Sequence, residues 1–274
     1  MHDIRPGQSV ELLKRLHILT RDGRMNQDSR RKLKQVYHLC NFIEPVLTDL
    51  RQHKAALRLV DQGAGKSYLG FILYDLFFKS PEDQTEVFGI ESRQVLVESS
   101  LALARQLTFS RMSFLHLPVA EAIHSPLLPA GIDLVTALHA CDTATDDAIR
   151  FALLREVPAL VLVPCCQAEV AAALSRRKSA ALARPLTELW RHPLHTREFG
   201  SHLTNVLRCL QLEAHGYQVR VTELVGWEHS LKNELIIARR HADVPRRKAA
   251  ERLNWLLESM DLDELRPRFF LPAG

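Results

Sequence analysis

The chain has 274 residues, 46% of them apolar and 25% charged, with a formal net charge of +4; this is long enough to bury a core of its own, and the composition excludes a disordered or collagen-like chain. No apolar run reaches the roughly 20 residues that span a bilayer, and "MHDIRPGQS" lacks the apolar stretch of a secretory leader. Cys40, Cys141, Cys165, Cys166 and Cys209 are an odd number of cysteines, which argues against a disulfide framework and leads us to expect a reducing cytoplasm.

In chain order, residues 1–55 read as an N-terminal helical region. "SVELLKRLHIL" is a first helix, "TRDGRMN" a turn, and "DSRRKLKQVYHLCNFIEPVLTDL" a second helix capped by Asp28 or Ser29. Leu33, Val36, Tyr37, Cys40, Ile43 and Leu47 recur at three and four and form its buried stripe. Arg30, Arg31, Lys34 and His38 are left facing solvent or a partner. Up to residue 58 the chain carries 12 lysines and arginines against six acids, which suits an anionic partner such as RNA and equally a solvated helix face. Arg30, Arg31 and Lys34 are the candidate substrate contacts on this stretch.

From residue 56 the pattern changes to short β-branched runs alternating with helical stretches: "ALRLVD", "EVFGIES", "MSFLHLPV", "IDLVTALHA" and "ALVLVPCC" are the strands. Alternation of this kind predicts an α/β fold, a doubly wound and mostly parallel sheet with helices on both faces. "GYQVRVTELVG" and "NELIIARR" follow one another with no helix between them, so they are expected to close one edge as an antiparallel hairpin, giving seven strands. The expected units are residues 1–55, a sheet domain over 56–242, and a C-terminal helix and tail over 243–274.

The stretch "RLVDQGAGKSYLG" (58–70) carries the first chemistry. Gly65, Lys66 and Ser67 match the end of a phosphate loop, but Val60 stands where its first glycine belongs. Asp61, at the strand tip, would repel a triphosphate and suits an amino group instead. The stretch resembles the [D/E]-x-G-x-G signature of class I S-adenosylmethionine-dependent methyltransferases, whose sheet is likewise five parallel strands closed by an antiparallel hairpin (a Rossmann-like arrangement). That resemblance implies that Asp61 binds the methionine amino group while Gly63 and Gly65 pass under the methionine and ribose. Lys66 stands where many such enzymes have a third glycine, and Tyr68 opens the next helix. Glu91, 30 residues after Asp61 at the end of the second strand, suits the two ribose hydroxyls, with Ser92 beside it. In "HLPVAEAI", Val119, Ala120 or Glu121 would flank the adenine; Ala120 and Glu121 are carried forward as contacts.

The segments "ALHACDTATDDAIR" (137–150) and "LVPCCQAEV" (162–170) are similar to the HxC-x-x-ATD and CC pairs of the methyltransferase family that includes the eukaryotic tRNA 2′-O-methyltransferases. Asp142 stands where those enzymes have glycine. On this resemblance His139 faces both the cofactor and the acceptor and could remove a proton, with Asp142 a second catalytic candidate and Thr145 and Asp146 nearby; a structural histidine is the alternative. Cys165 is a further catalytic candidate and Cys166 a candidate for the acceptor pocket, although free cysteines are commonly buried small hydrophobes. A zinc site from His139, Cys141, Cys165 and Cys166 lacks C-x-x-C spacing, so no metal is expected. The expected activity is S-adenosylmethionine-dependent methyl transfer to RNA, tRNA or rRNA, in the cytoplasm and away from membranes. The alternatives are a protein or small-molecule acceptor, a non-catalytic RNA-binding module, and an ATP-dependent enzyme using the GAGKS loop with Asp133 as its metal acid.

Overall fold

The computed structural model describes residues 4–138, 140, 142–164, 168–176, 191–224 and 234–271. The first helix, α1 (Val10–Arg15), is capped by Ser9, and α2 spans Gln27–His53. The cap of α2 is Asn26, whose side chain accepts from the Ser29 amide at 2.8 Å, so the helix begins earlier than Asp28 or Ser29 predict. Asp28 is taken instead by Arg31 and Lys32, one turn further on at 2.7 and 2.8 Å. The buried stripe holds Leu33, Cys40, Ile43 and Leu47 as expected and adds Leu39 and Val46; Val36 and Tyr37 are only partly buried.

Seven strands follow: β1 (Arg58–Gln62), β2 (Glu86–Glu91), β3 (Met112–His116), β4 (Leu134–Leu138), β5 (Ala159–Val163), β6 (Tyr217–Glu223) and β7 (Glu234–Arg240). They form one sheet in the order β3-β2-β1-β4-β5-β7-β6. The first five are parallel, and β7 runs antiparallel to both β5 and β6. This is the doubly wound sheet with an edge hairpin that the alternation predicts. Chain order reverses between β1 and β4, and ligand crevices of such sheets open at that point, beyond the carboxyl ends of the strands.

Strand periodicity sorts the residues between two cores. Leu59 and Leu134 face α1, α2, α3 (Tyr68–Leu73) and α4 (Gln94–Gln106), so the N-terminal helices share one apolar core with the sheet. Val60 and Val135 face α5 (Thr143–Leu154) and the 3-10 turn at Val119–His124. A third cluster joins α6 (Glu169–Arg176), α7 (Pro193–Ala214) and α8 (Arg246–Ser259), and α8 docks through Leu253 and Leu257 against Leu203, Leu207 and Leu210 of α7. The chain ends in a short helix, α9 (Arg266–Phe269), whose Phe269 joins the same cluster. Among the described residues no helix is long and apolar enough to cross a membrane.

Candidate active site

Asp61 lies within β1, paired in register with Thr136 of β4, and is 2% exposed. Thr136 Oγ1 donates to its Oδ1 at 2.8 Å, and Ser67 Oγ donates to its Oδ2 at 3.4 Å. Burial pushes the Asp61 carboxyl up to about 6; the two hydroxyls and the Gly70 amide pull it back only in part. Among the described residues Asp61 has no cationic partner, so a buried carboxylate stands at the switch point with an unmet demand for one. Gln62, next in the chain and fully buried, has no hydrogen-bond partner for either amide atom among the described residues.

The loop after β1 is shaped by backbone that side chains resist. Gly63 has φ +62°, and a Cβ there would come within 3.4 Å of the Ala140 side chain in the turn after β4. The Gly65 amide donates to Glu91 Oε2 at 2.7 Å, tying the loop to the end of β2. Glu91 is 5% exposed. Burial works to raise its pKa, but hydrogen bonds from the Arg93 side chain, the Arg93 amide and the Gly65 amide prevail and hold it below the usual carboxylate range. Arg93 Nε binds Glu91 Oε1 at 2.8 Å while the arginine itself remains largely exposed. A ligand hydroxyl can thus take over part of the carboxylate without stranding a buried charge.

Around these two acids the other expected contacts fall as follows. Ser92 is exposed, with its hydroxyl 3.5 Å from Glu91 Oε1 and its carbonyl 2.8 Å from His116 Nε2. Lys66 is exposed, Tyr68 is half-buried, and Ala120 and Glu121 lie exposed on the 3-10 turn after β3. Asp142 caps the start of α5 with its carboxylate turned to the Ala168 amide at 3.0 Å. His139, Cys141, Cys165 and Cys166 lie outside the described residues. Arg30, Arg31 and Lys34 are all exposed on the first turns of α2.

The donor set fits S-adenosylmethionine: a buried carboxylate for an ammonium, a second acid for a diol, and a glycine loop drawn close to the next strand between them. It does not fit ATP. Ser67 is buried with its hydroxyl committed to Asp61. Asp133, the acid a phosphate-loop enzyme would need for its metal, sits before β4 at the opposite end of the sheet, where it binds Lys54 and the Arg58 amide. No group of metal-ligating side chains occurs among the described residues.

A family model described as a methyltransferase domain matches residues 31–173, just over half of the chain. The chain belongs to that methyltransferase family. It is an S-adenosylmethionine-dependent methyltransferase. Among solved structures it is similar to magnesium protoporphyrin IX methyltransferase from Synechocystis PCC 6803 with bound S-adenosylhomocysteine, at 14% identity and TM-score 0.47 over 84% of this chain and 93% of that one. It is also similar to an rRNA methylase from Streptococcus thermophilus, at 8% identity and TM-score 0.43 over 73% and 95% of the two chains. A third is an S-adenosylmethionine-dependent methyltransferase from Aquifex aeolicus, at 17% identity and TM-score 0.40 over 72% and 87%. No curated protein matches the chain.

The candidate site contains residues that sequence reasoning missed. Thr136 is a lone hydroxyl in the apolar run "DLVTAL", and that interruption was its signal. Gly70 leaves room where the start of α3 meets β1, since a Cβ there would lie 2.6 Å from Ser67 Oγ and 3.5 Å from Asp61 Oδ2. Replacing the Thr136 donor tests its grip on Asp61. Thr136→Val is expected to raise the Asp61 pKa further and to weaken S-adenosylhomocysteine binding at pH 7 about tenfold, the scale of a hydrogen bond to a charged group. Calorimetry checks this, and unchanged affinity would remove Thr136 from the site.

Proposed function

We propose that this methyltransferase transfers a methyl group from S-adenosylmethionine to an RNA acceptor, tRNA or rRNA, in the cytoplasm. The observation that carries the RNA reading is where the basic opening of α2 lies. Leu33, on the opening turns of α2, and Leu69, in the first turn of α3, belong to one apolar core, so both helix starts lie on the same face of the sheet. Arg30, Arg31 and Lys34 thus stand exposed on a helix that packs on the same face as α3, with Lys66 and Arg93 exposed on the loop's own flank. Cations of this density beside a site suit a phosphate backbone.

In this reading, bound S-adenosylmethionine supplies an electrophilic sulfonium methyl group. Ionised Asp61 pairs with its amino group and Glu91 accepts from its ribose hydroxyls, exchanging part of the Arg93 bond. Gly63 and Gly65 bring the loop backbone against the ligand; Lys66, Tyr68 and Ser92 border it, and Ala120 and Glu121 flank the adenine. His139 would take the proton from the acceptor nucleophile, and Cys165 and Cys166 would be candidates for the acceptor pocket. Asp142 acts through its grip on the neighbouring chain.

Charge reversal on α2 tests the acceptor class. Arg30→Glu, Arg31→Glu and Lys34→Glu together are expected to weaken binding of bulk tRNA and to flatten its salt dependence by about two to three units of log–log slope, about 0.7 to 0.9 for each of three phosphates no longer neutralised. S-adenosylhomocysteine affinity stays unchanged. RNA binding with the original slope would sink the docking face, and radiolabel from S-adenosylmethionine transferred to protein in a cell extract would assign the acceptor elsewhere.

A further inference from the structure

Arg208, in the middle of α7, heads the fully buried side chains by volume among the described residues. Its Nε and Nη2 donate to the two carboxylate oxygens of Asp146, in the first turn of α5, at 2.8 and 2.7 Å. Nη1 donates to Asn205 Oδ1 at 3.2 Å, and Nη2 reaches the Asp142 carbonyl at 2.9 Å. A buried ion pair is weak evidence of stability, because desolvation offsets most of its attraction. What this guanidinium does for the fold is geometric.

Asp142 shows what the geometry holds. Its backbone is at φ +52° and ψ −123°, a region that glycine enters freely and that side chains resist. Two bonds keep it there: Arg208 takes its carbonyl, and its own carboxylate takes the Ala168 amide. The same turn is fastened at Ala140, whose carbonyl accepts from Thr145 Oγ1 at 2.5 Å. The Ala140 methyl group in turn faces Gly63 closely. A line of contacts therefore runs from Arg208 through Asp142 and Ala140 to the glycine loop.

We infer that Arg208 is a positioning residue of the cofactor site: by holding Asp142 in a conformation proper to glycine, it presses the turn after β4 against the Gly63 loop. This rests on reading that loop as the cofactor cradle. Asp142 occupies a place that glycine would fill without strain, so the arginine and the aspartate form a matched pair. If glycine replaced Asp142, Arg208 would no longer be needed to hold the turn.

The test measures S-adenosylhomocysteine binding by calorimetry, alongside amide hydrogen exchange at Ala140 to Asp146 in the free protein. Arg208→Lys keeps the charge but loses the fork, and is expected to weaken binding about tenfold and to speed exchange in the turn. Asp142→Gly alone, and Asp142→Gly combined with Arg208→Lys, are expected to bind within about threefold of the wild type, the coupling that residues sharing one constraint show. Wild-type affinity and exchange in Arg208→Lys overturn the inference, as does a double variant no better than Arg208→Lys. Should the lysine variant not fold, Asp142→Ala, which loses the carboxylate yet still resists the positive φ, is expected to bind about tenfold more weakly than Asp142→Gly; equal affinities overturn the inference. A wild type that binds no S-adenosylhomocysteine refutes the cofactor reading instead, and the exchange rates then still decide whether Arg208 holds the turn.

Discussion

Asp61→Asn is expected to yield a protein that is more stable at neutral pH and unable to bind its cofactor. The Asp61 carboxyl is raised to about 6 by burial, against about 3.9 in an unfolded chain. Above pH 6 it is ionised in both states, and holding the charge inside the folded protein costs roughly 3 kcal/mol. Below about pH 4 both states are protonated and the penalty is gone. The contribution of this group to stability is therefore fully present at low pH and is lost as pH rises through 6. An asparagine carries no such charge. Its amide nitrogen leaves one of the surrounding donors poorly matched at a cost of about 1 kcal/mol, so the net gain at pH 7 is about 2 kcal/mol and turns into a loss of about 1 kcal/mol near pH 4.

The same substitution removes the only feature that makes the buried position useful. A ligand ammonium stabilises the ionised form, so in the wild type S-adenosylhomocysteine affinity should fall as pH drops below about 6. In Asp61→Asn, binding at pH 7 should weaken at least about a hundredfold, the scale for stranding a partner of a buried ion pair. Denaturant unfolding and calorimetry from pH 4 to 8 check both halves. A variant that is destabilised at every pH, or that binds normally, contradicts this account of Asp61.

Glu91→Gln is expected to strike the other end of the ligand. The glutamine can still accept from the Gly65 amide, a 2.7 Å bond in the wild type, so the loop keeps its tether. It cannot offer a charge to the ribose hydroxyls, and Arg93 loses its ionic partner. Weakening of about ten- to a hundredfold follows from replacing two charge-assisted hydrogen bonds with neutral ones. The two ends separate with 5′-methylthioadenosine, which has the nucleoside but no amino acid. Glu91→Gln should weaken this fragment as much as it weakens S-adenosylhomocysteine, whereas Asp61→Asn should leave the fragment unaffected. A reversal of that pattern would place the ligand the other way round.

The fold and the two acids of the candidate site were legible because local signals report them. Asp61 and Glu91 close apolar runs, and both prove to be buried acids at the carboxyl ends of neighbouring strands. The hairpin was legible from two strands with no helix between them. Other features depend on partners distant in sequence. The cap of α2 looked like Asp28 or Ser29, but ion pairs with Arg31 and Lys32 claim Asp28, and Asn26 caps the helix. In α8, Ala249, Leu253 and Leu257 announce a buried face, yet nothing in that spacing names α7 as what it covers. Arg208 is the extreme case: a charge inside "NVLRCLQL" is a signal, but its partner Asp146 lies 62 residues away. Asp142 was weighed for catalysis, and its positive φ, which side chains resist, emerges only from the backbone.

The central claim, that the Gly63–Gly65 loop between Asp61 and Glu91 cradles S-adenosylmethionine, is tested most directly by titrating the purified protein with S-adenosylhomocysteine and, separately, with ATP–Mg²⁺. The account predicts micromolar binding of the first, declining below pH 6, and no binding of the second. Binding of ATP–Mg²⁺ alone would mean that Lys66 and Ser67 are phosphate ligands, and would contradict the account at its root.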